Sequence, residues 1–429
     1  MRYSFSLRSR SLGNFANIVV TVVSLLALLS LFVGCASSQT AATPAKAAPS
    51  AATPASSATA PSAGNKSASQ ASTDKEPYKV GLATAFTGTR SETMQNAIKA
   101  ARLETEMVNN AGGINGHKIQ LIEYDNEEDP QKAIPVFKRL IEQDKVVGIV
   151  GPGINATIQA IKPLVKDGPI TSFMSASGKP EPDSFQFQTT VTQPTLQRML
   201  MQYFKKNNYS KVALLATTDA TGEDSVKNIT AIAKEVGGVE VVVERYNASD
   251  VDVTPQLTKI RSDKGIKAMI IWSTGTQAAT PVKNAAQLGL DIPIQVSMGN
   301  HTNNFIKLIK DSMPSVLWMG TERGSVWYDL ADNDPIKPAA KAFAEAYKAK
   351  YNEQADFMAF NGYDATKLVF DALKAVGPDS VKMKQWIESQ PLWIGAGLEH
   401  KFTKTNHEGD LPDSAVLVQI KGDTWSLVK

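Results

Sequence analysis

Several short stretches of this chain pair glycine with hydroxyl or carboxamide side chains, a composition suited to polar recognition without covalent chemistry. Gly151-Pro152-Gly153-Ile154-Asn155-Ala156-Thr157 follows an apolar run and opens a helical pattern. Its glycines let another molecule approach the backbone, and the helix start presents free N–H groups to a carboxylate. Asn155 adds a group that both donates and accepts, although the same residues would serve as an ordinary helix cap. Ser175-Ala176-Ser177-Gly178 stands after the next apolar run, with two hydroxyls in a small-residue turn. Asp219-Ala220-Thr221-Gly222, Thr274-Gly275-Thr276 and Ser297-Met298-Gly299-Asn300 follow later apolar runs in the same manner. Thr221, Thr276 and Asn300 are the polar candidates there. Met298, with Trp327 and Tyr328 beyond it, is either an apolar wall or ordinary core.

The patterns that carry catalysis do not occur. There is no G-x-G-x-x-G after the first strand-like run, no phosphate loop ending in Gly-Lys-Ser/Thr, and no G-x-S-x-G elbow. His117, His301, His400 and His407 are scattered, and with a single cysteine no metal-ligand spacing arises. His400 and His407 read as surface residues of a C-terminal loop. The acidic run Asp125 to Asp129 lacks the glycine and terminal glutamate of a calcium loop, so it reads as a strand end and helix cap. Neither an enzyme nor a cofactor or metal is expected.

The 429 residues carry a formal charge of +3, and the excess sits at the front, in Arg2, Arg8 and Arg10. Without those three, basic and acidic residues balance at 42 each, which leaves no basic footprint for nucleic acid. An apolar run from Ile18 to Val33 follows and ends in Leu31-Phe32-Val33-Gly34-Cys35. A basic segment, an apolar segment and a small residue before a cut are the parts of a secretory signal, here residues 1–34. The run is also about long enough to span a bilayer, so an uncleaved anchor is the alternative. The stretch resembles a bacterial lipobox, with Phe32 where leucine is usual, and that resemblance implies a lipidated Cys35 as the new N-terminus, anchoring the protein outside the cytoplasm. A lone cysteine also leaves no internal disulfide.

Residues 35–76 are mostly Ala, Ser, Thr and Pro, a composition with too little to bury to offset the entropy of ordering. Such a tether spans roughly 35 Å as a coil. Folded sequence begins near Tyr78. Apolar runs at Lys79–Ala83, Lys118–Tyr124, Val146–Val150, Pro169–Met174, Val212–Ala216, Val239–Val243, Ala268–Trp272 and Ile294–Val296 alternate with helical patterns. Asn115-Gly116 marks a tight turn, and Asp129-Pro130 caps and opens a helix. Strands alternating with amphipathic helices imply an α/β fold with parallel sheets covered on both faces, and so many strands divide more readily into two lobes than into one sheet.

Val108-Asn109-Asn110-Ala111-Gly112-Gly113-Ile114-Asn115-Gly116, running on to Tyr124-Asp125-Asn126-Glu127-Glu128-Asp129-Pro130, resembles the Leu/Ile/Val-binding family of type I extracytoplasmic solute-binding proteins, which serve branched-chain amino acid ABC transporters. Gly151-Pro152, Ser175-Ala176-Ser177, Gly299-Asn300, Tyr363-Asp364-Ala365, Gly397 to Phe402 and Ala415 to Ile420 extend the resemblance across Tyr78 to Lys429. It implies two doubly wound parallel-sheet lobes joined by a three-crossover hinge, with lobe 1 at residues 78–192 and 322–392 and lobe 2 at residues 193–321 and 393–429. It implies a small solute caught between the lobes, permease subunits as partners, and a monomer. The ligand carboxylate would meet Ser175, Ser177 and Asn155, the last standing where serine is usual.

Across the cleft Thr221 replaces a common tyrosine. The region Ser297 to Asn304, which often holds a carboxylate for the ligand ammonium, holds none. An unpartnered ammonium would be costly to desolvate, so either Asp219, Asp224 or Glu322 substitutes or the ligand lacks an amine. A lipoprotein that senses the same ligand and reports to a signalling partner is the alternative to transport. Gene neighbours encoding permease and ATPase subunits would distinguish the two.

Overall fold

A computed structural model of the chain describes residues 75–429, apart from residues 89, 423 and 429. The signal segment, Cys35 and nearly all of the tether lie outside the described residues. None of the described helices is long and apolar enough to cross a membrane.

The first sheet is built from β1 (Lys75–Thr84), β2 (His117–Asp125), β3 (Gly148–Val150), β4 (Ile170–Phe173) and β5 (Gln186–Gln188), in the order β2-β1-β3-β4-β5, all parallel. Between them run α1 (Ser91–Asn110), α2 (Pro130–Arg139) and α3 (Asn155–Ile161). β1 begins at Lys75, slightly ahead of the start expected at Tyr78, because Lys75 pairs with His117. The sheet is apolar on both sides. Val80 and Leu82 face Met94, Ala97, Ile98 and Ala101 of α1, while Ala83 and Ile149 face Phe137 of α2 and Ile158 of α3.

The second sheet has β6 (Lys211–Thr217), β7 (Glu240–Tyr246), β8 (Ala268–Trp272), β9 (Ile294–Val296), β10 (Leu317–Glu322), β13 (Ala415–Lys421) and β14 (Thr424–Leu427), in the order β14-β13-β10-β9-β8-β6-β7. Its first five strands in sequence run parallel, and β13 and β14 close one edge antiparallel. Ala213 and Leu215 pack with helices α6 (Thr254–Ser262), α7 (Thr276–Gln287) and α8 (Asn303–Ile309) on one face. Val212, Leu214 and Ala216 pack with α4 (Gln193–Lys206) and α5 (Ala220–Val236) on the other. Burial on both faces explains why these strands read as unbroken apolar runs.

The chain crosses between the sheets three times. It leaves the first after β5 through residues 189–192. It returns after β10 to α9 (Lys337–Tyr351), α10 (Phe357–Val376) and α11 (Ser380–Ser389), and finally runs into β13. That last crossing comes later than the boundary expected at residue 393. The short pair β11 (Trp393–Ile394) and β12 (Glu399–His400) and the loop after it stay with the first lobe. Gln188 N donates to His407 O at 3.0 Å and Asp183 N to Lys404 O at 2.8 Å. Phe402 meets Phe187 edge-on at 5.4 Å.

α10 returns across α1 at very close range. A Cβ placed on Gly362 would lie 2.4 Å from the Ala97 carbonyl oxygen and 2.5 Å from its Cα. Substituting Gly362→Ala should therefore destabilise the first lobe by about 2 kcal/mol through overpacking, despite alanine's better helix propensity. Chemical denaturation of the two proteins checks this, and an unchanged midpoint would contradict the close packing.

Candidate functional site

In open parallel sheets a small molecule binds beyond the carboxyl ends of the strands, where the winding reverses. In the first sheet β1 has β2 on one side and β3 on the other, so the crevice opens between the loops after β1 and β3. In the second sheet β6 stands between β7 and β8, so the loops after β6 and β8 flank the corresponding crevice. The glycine and hydroxyl stretches of the sequence fall on these loops and their neighbours.

Asn155 is the first residue of α3, is exposed, and accepts from Gln159 Nε2 at 2.9 Å. The N–H groups just before it are not free. Gly153 N donates to Glu128 Oε1 at 2.7 Å and Ile154 N to Glu128 Oε2 at 3.2 Å. The next strand, β4, ends beside this loop, and Met174 N donates to Pro152 O at 3.1 Å. Ser175 and Ser177 follow, both half-buried, with Ser177 N donating to Ser175 Oγ at 3.3 Å. Asn155, Ser175 and Ser177 thus stand at the ends of adjacent strands.

On the second sheet Thr221 and Thr276 are exposed, in the first turns of α5 and α7 at the ends of β6 and β8. Asp219 caps α5: its Oδ1 accepts from Gly222 N at 3.0 Å and Thr217 Oγ1 at 2.8 Å. Asn300 is fully buried and internally committed. Its Oδ1 accepts from Gly275 N at 2.9 Å, and its Nδ2 donates to Ser273 O at 2.8 Å and Ser297 O at 3.1 Å. It therefore braces the loops after β8 and β9 against each other. Met298 is buried in the cluster that holds the first-lobe core, so it packs where the lobes meet. Trp327 is partly buried against α9 and α10, and Tyr328 donates to Trp425 O at 2.6 Å.

Two carboxyl groups lie at the crossings. Glu322, the last residue of β10, accepts from Thr190 Oγ1 at 2.5 Å and Val191 N at 3.3 Å, both in the first crossing. With the Asn361 amide turned to face it, that nitrogen donates to Oε1 at 2.6 Å and Oε2 at 2.9 Å. Asp364 of α10 accepts from Ala396 N at 2.6 Å and Gly397 N at 2.8 Å in the segment that leads to the last crossing. A Cβ on Gly397 would lie 2.9 Å from Glu322 Oε2 and 3.1 Å from Asp364 Oδ2, so the two acids approach the same point. Burial raises both: Glu322 to about 8 and Asp364 to about 7, with Asp364 adding to the rise at Glu322. Nearby His301 is pushed down to about 4 by burial, and its Nδ1 lies 2.9 Å from Thr321 Oγ1.

Burial and hydrogen bonding distinguish the carboxylates considered from sequence. Glu322 has no exposed surface and is tied to the first crossing. Asp224 is exposed on α5. Asp219 stands just past the end of β6, where it caps α5. The expectation that His400 and His407 lie on the surface is wrong. His400 stacks on Phe402 at 5.0 Å. His407 stacks on Phe187 at 4.2 Å and lies 2.9 Å from Glu388 Oε1 through Nε2. Both are buried because the C-terminal loop fills the edge beside β5. Asn361 and Thr190 were not singled out, and Glu128 was read only as part of an acidic strand end and helix cap, whereas its carboxyl group is tied to Thr84, Gly153 and Ile154.

An acid whose folded-state value is raised holds its proton more tightly when folded, so its stabilising contribution is complete below the unfolded value. It is lost as pH rises through the folded value. For Glu322 and Asp364 the window runs from the ordinary carboxyl range up to about 8. Glu322→Gln mimics the protonated acid, so its stability relative to the natural chain should improve by about 2 kcal/mol or more between about pH 5 and pH 9. Denaturant titrations at both pH values test this, and a pH-independent difference would contradict it.

Residues 77–424 match the periplasmic binding protein family. An amino acid binding protein of Pseudomonas aeruginosa is 22% identical over 354 residues, 79% of this chain and 88% of that protein. The branched-chain amino acid transporter substrate-binding protein of Streptococcus pneumoniae, solved with isoleucine, superposes with a TM-score of 0.67 at 23% identity, covering 82% of this chain and 99% of that one. A solute-binding protein of an ABC transporter from Rhodopseudomonas palustris, solved with benzoate, gives a TM-score of 0.64 at 19% identity, covering 82% and 95%. The two α/β lobes of this chain share the architecture of these solute receptors, and over residues 77–424 it belongs to the periplasmic binding protein family.

Proposed function

We propose that this chain is the substrate-binding lipoprotein of an ABC importer, closing its lobes on a small solute and delivering it to membrane permease subunits. The observation that carries this reading is the placement of the polar, glycine-bearing loops of both sheets at their switch points, in lobes connected by narrow crossings. An open form binds solute on the first lobe, and closure about the crossings adds second-lobe contacts and excludes water. A partner consumes the ATP. Cleavage before Cys35 and lipidation of that residue hold the protein at the membrane outside the cytoplasm, with residues 35–76 as tether.

The ligand class follows from the groups on offer. Ser175 and Ser177, with Asn155, receive a carboxylate on the first lobe. Thr221, Thr276 and Met298 complete the second-lobe side, and Asn300 holds that side in shape. An amino acid is the leading candidate, in keeping with the name of the Pseudomonas relative. Asp219, through the oxygen its capping role leaves over, is the partner for the ammonium. A carboxylic acid or an amide without an ammonium is the other class, in keeping with the benzoate held by one structural neighbour.

A thermal-shift and calorimetric panel of neutral amino acids, their amides and benzoate decides between these classes. A specific ligand at about one hundred times its Kd should stabilise the fold by about 2.7 kcal/mol. If no compound stabilises the chain at high concentration, the reading fails. Asp219→Asn should weaken an amino acid roughly tenfold or more while leaving benzoate within about twofold. Ser177→Ala should weaken both classes by about threefold to tenfold. For the anchor, Cys35→Ser should move the protein from the membrane fraction to the soluble extracytoplasmic fraction, and unchanged fractionation would count against lipidation.

A further inference from the structure

The turn between β2 and α2 is shaped in a way that its capping role does not explain. Asp129 alone caps α2, accepting from Gln131 N at 2.8 Å and Lys132 N at 3.0 Å. Yet Glu127 and Glu128 both adopt left-handed backbone, with φ of 51° and 53°. Each such residue without glycine's freedom costs of order 1 kcal/mol and persists only where its surroundings over-determine it. Asp125 and Asn126 hold the turn in this shape: Asp125 Oδ1 accepts from Glu127 N at 2.9 Å, and Asn126 Oδ1 accepts from Glu128 N at 2.8 Å.

The result of the strain is the position of one carboxyl group. β2 lies on the far side of β1 from β3, so a side chain from the β2 turn must pass the end of β1 to reach the loop after β3. Glu128 makes that reach and is buried throughout. Its Oε1 accepts from Thr84 Oγ1, at the end of β1, at 2.7 Å and from Gly153 N at 2.7 Å, while Oε2 accepts from Ile154 N at 3.2 Å. One carboxyl group therefore ties three adjacent strand ends together, directly behind Asn155. Burial raises its proton affinity, opposed by these donors.

We propose that Glu128 is the positioning residue of the first-lobe ligand loop. Its carboxyl occupies the backbone donors of Gly153 and Ile154, so the loop meets the ligand already formed and offers the Asn155 carboxamide in place of those amides. This rests on the reading above that the loop after β3 faces the ligand. A ligand carboxylate is consequently directed to Ser175 and Ser177, one strand further along. Preorganisation of this kind lowers the ordering cost of binding without adding a contact to the ligand.

The test is residue-resolved hydrogen exchange on the full chain, with Glu128→Ala and Glu128→Gln, together with affinities for L-leucine and benzoate. In Glu128→Ala, exchange at Gly153 and Ile154 should quicken about tenfold or more, while Ile149, Val150 and the amides of β4 stay within about twofold. In Glu128→Gln, the amide oxygen at the Oε1 position keeps Gly153 protected, and the amide nitrogen facing Ile154 leaves that residue exposed to exchange. Whichever probe binds the natural chain should bind the alanine variant about tenfold more weakly, with partial recovery in the glutamine variant. Unchanged exchange at both amides would overturn the proposal, as would uniform acceleration across the first lobe or loss of loop protection with affinity intact. If neither probe binds the natural chain, those two ligands are excluded and the exchange result alone decides whether Glu128 positions the loop.

Discussion

Glu322 and Asp364 are carboxyl groups without access to water, placed where the chain passes between the two sheets, and the arrangement of both lobes depends on how they are satisfied. An ionised carboxylate in such a place is costly unless it is hydrogen-bonded, and the donors come from different crossings. Thr190 and Val191 belong to the first, Glu322 itself begins the second, and Ala396 and Gly397 lead to the last. Asn361 and Asp364 present these groups from a single helix, α10. A rearrangement that pulled the crossings apart would strand a buried acid. Rotation about the crossings, which keeps the donors in place, is the motion this arrangement permits. Polar satisfaction at the crossings thus stands beside the apolar contacts, such as that of Met298, that the two lobes share.

The binding loops follow the same logic on a smaller scale. Two of the candidate loops are held by an internal side chain that satisfies backbone groups the loop would otherwise expose. Glu128 does this in the first lobe, and Asn300 does it in the second, where it joins Gly275 N to Ser273 O and Ser297 O. Loops braced in this way lose little freedom when a ligand arrives, so more of the interaction energy appears as affinity. On the proposed reading, the residues that touch the ligand and the residues that hold the loop are different sets. Asn300 lies in the loop nominated from sequence but serves the second purpose.

Those two sets differ in how legible they are. Strands buried on both faces announce themselves as apolar runs, and all eight expected from sequence are present, from β1 to β9 with only β5 unforeseen. Local turn chemistry is equally legible. Asn115 and Gly116 both have positive φ, and Asp129 caps a helix opened by Pro130. β5 was not legible because Gln186, Phe187 and Gln188 are polar at two of three positions yet wholly buried. The polar groups that matter most were hidden for one reason: their partners are far away in the chain. His407 meets Gln186 and Phe187, Glu322 meets Thr190, and Glu128 meets Gly153, so nothing within a short window shows what each is for.

The same distinction narrows the question of ligand charge. Sequence alone leaves three carboxylates as possible partners for an ammonium, and all three look alike as isolated residues. Burial and hydrogen bonding separate them. Glu322 is enclosed at the crossings, and a ligand reaching it would have to displace Thr190 and Val191. Asp224 lies further along α5 and is exposed. Asp219 stands at the strand end itself, with Oδ1 fixed by Thr217 and Gly222. That fixation holds its other oxygen in one place without neutralising the charge. A carboxylate so held discriminates between an ammonium and an uncharged group, because only the ammonium compensates it when closure removes water. On the proposed reading, the choice between amino acids and neutral-ended acids falls to Asp219 of the second lobe, while the hydroxyls and carboxamide of the first lobe suit the acid end of either.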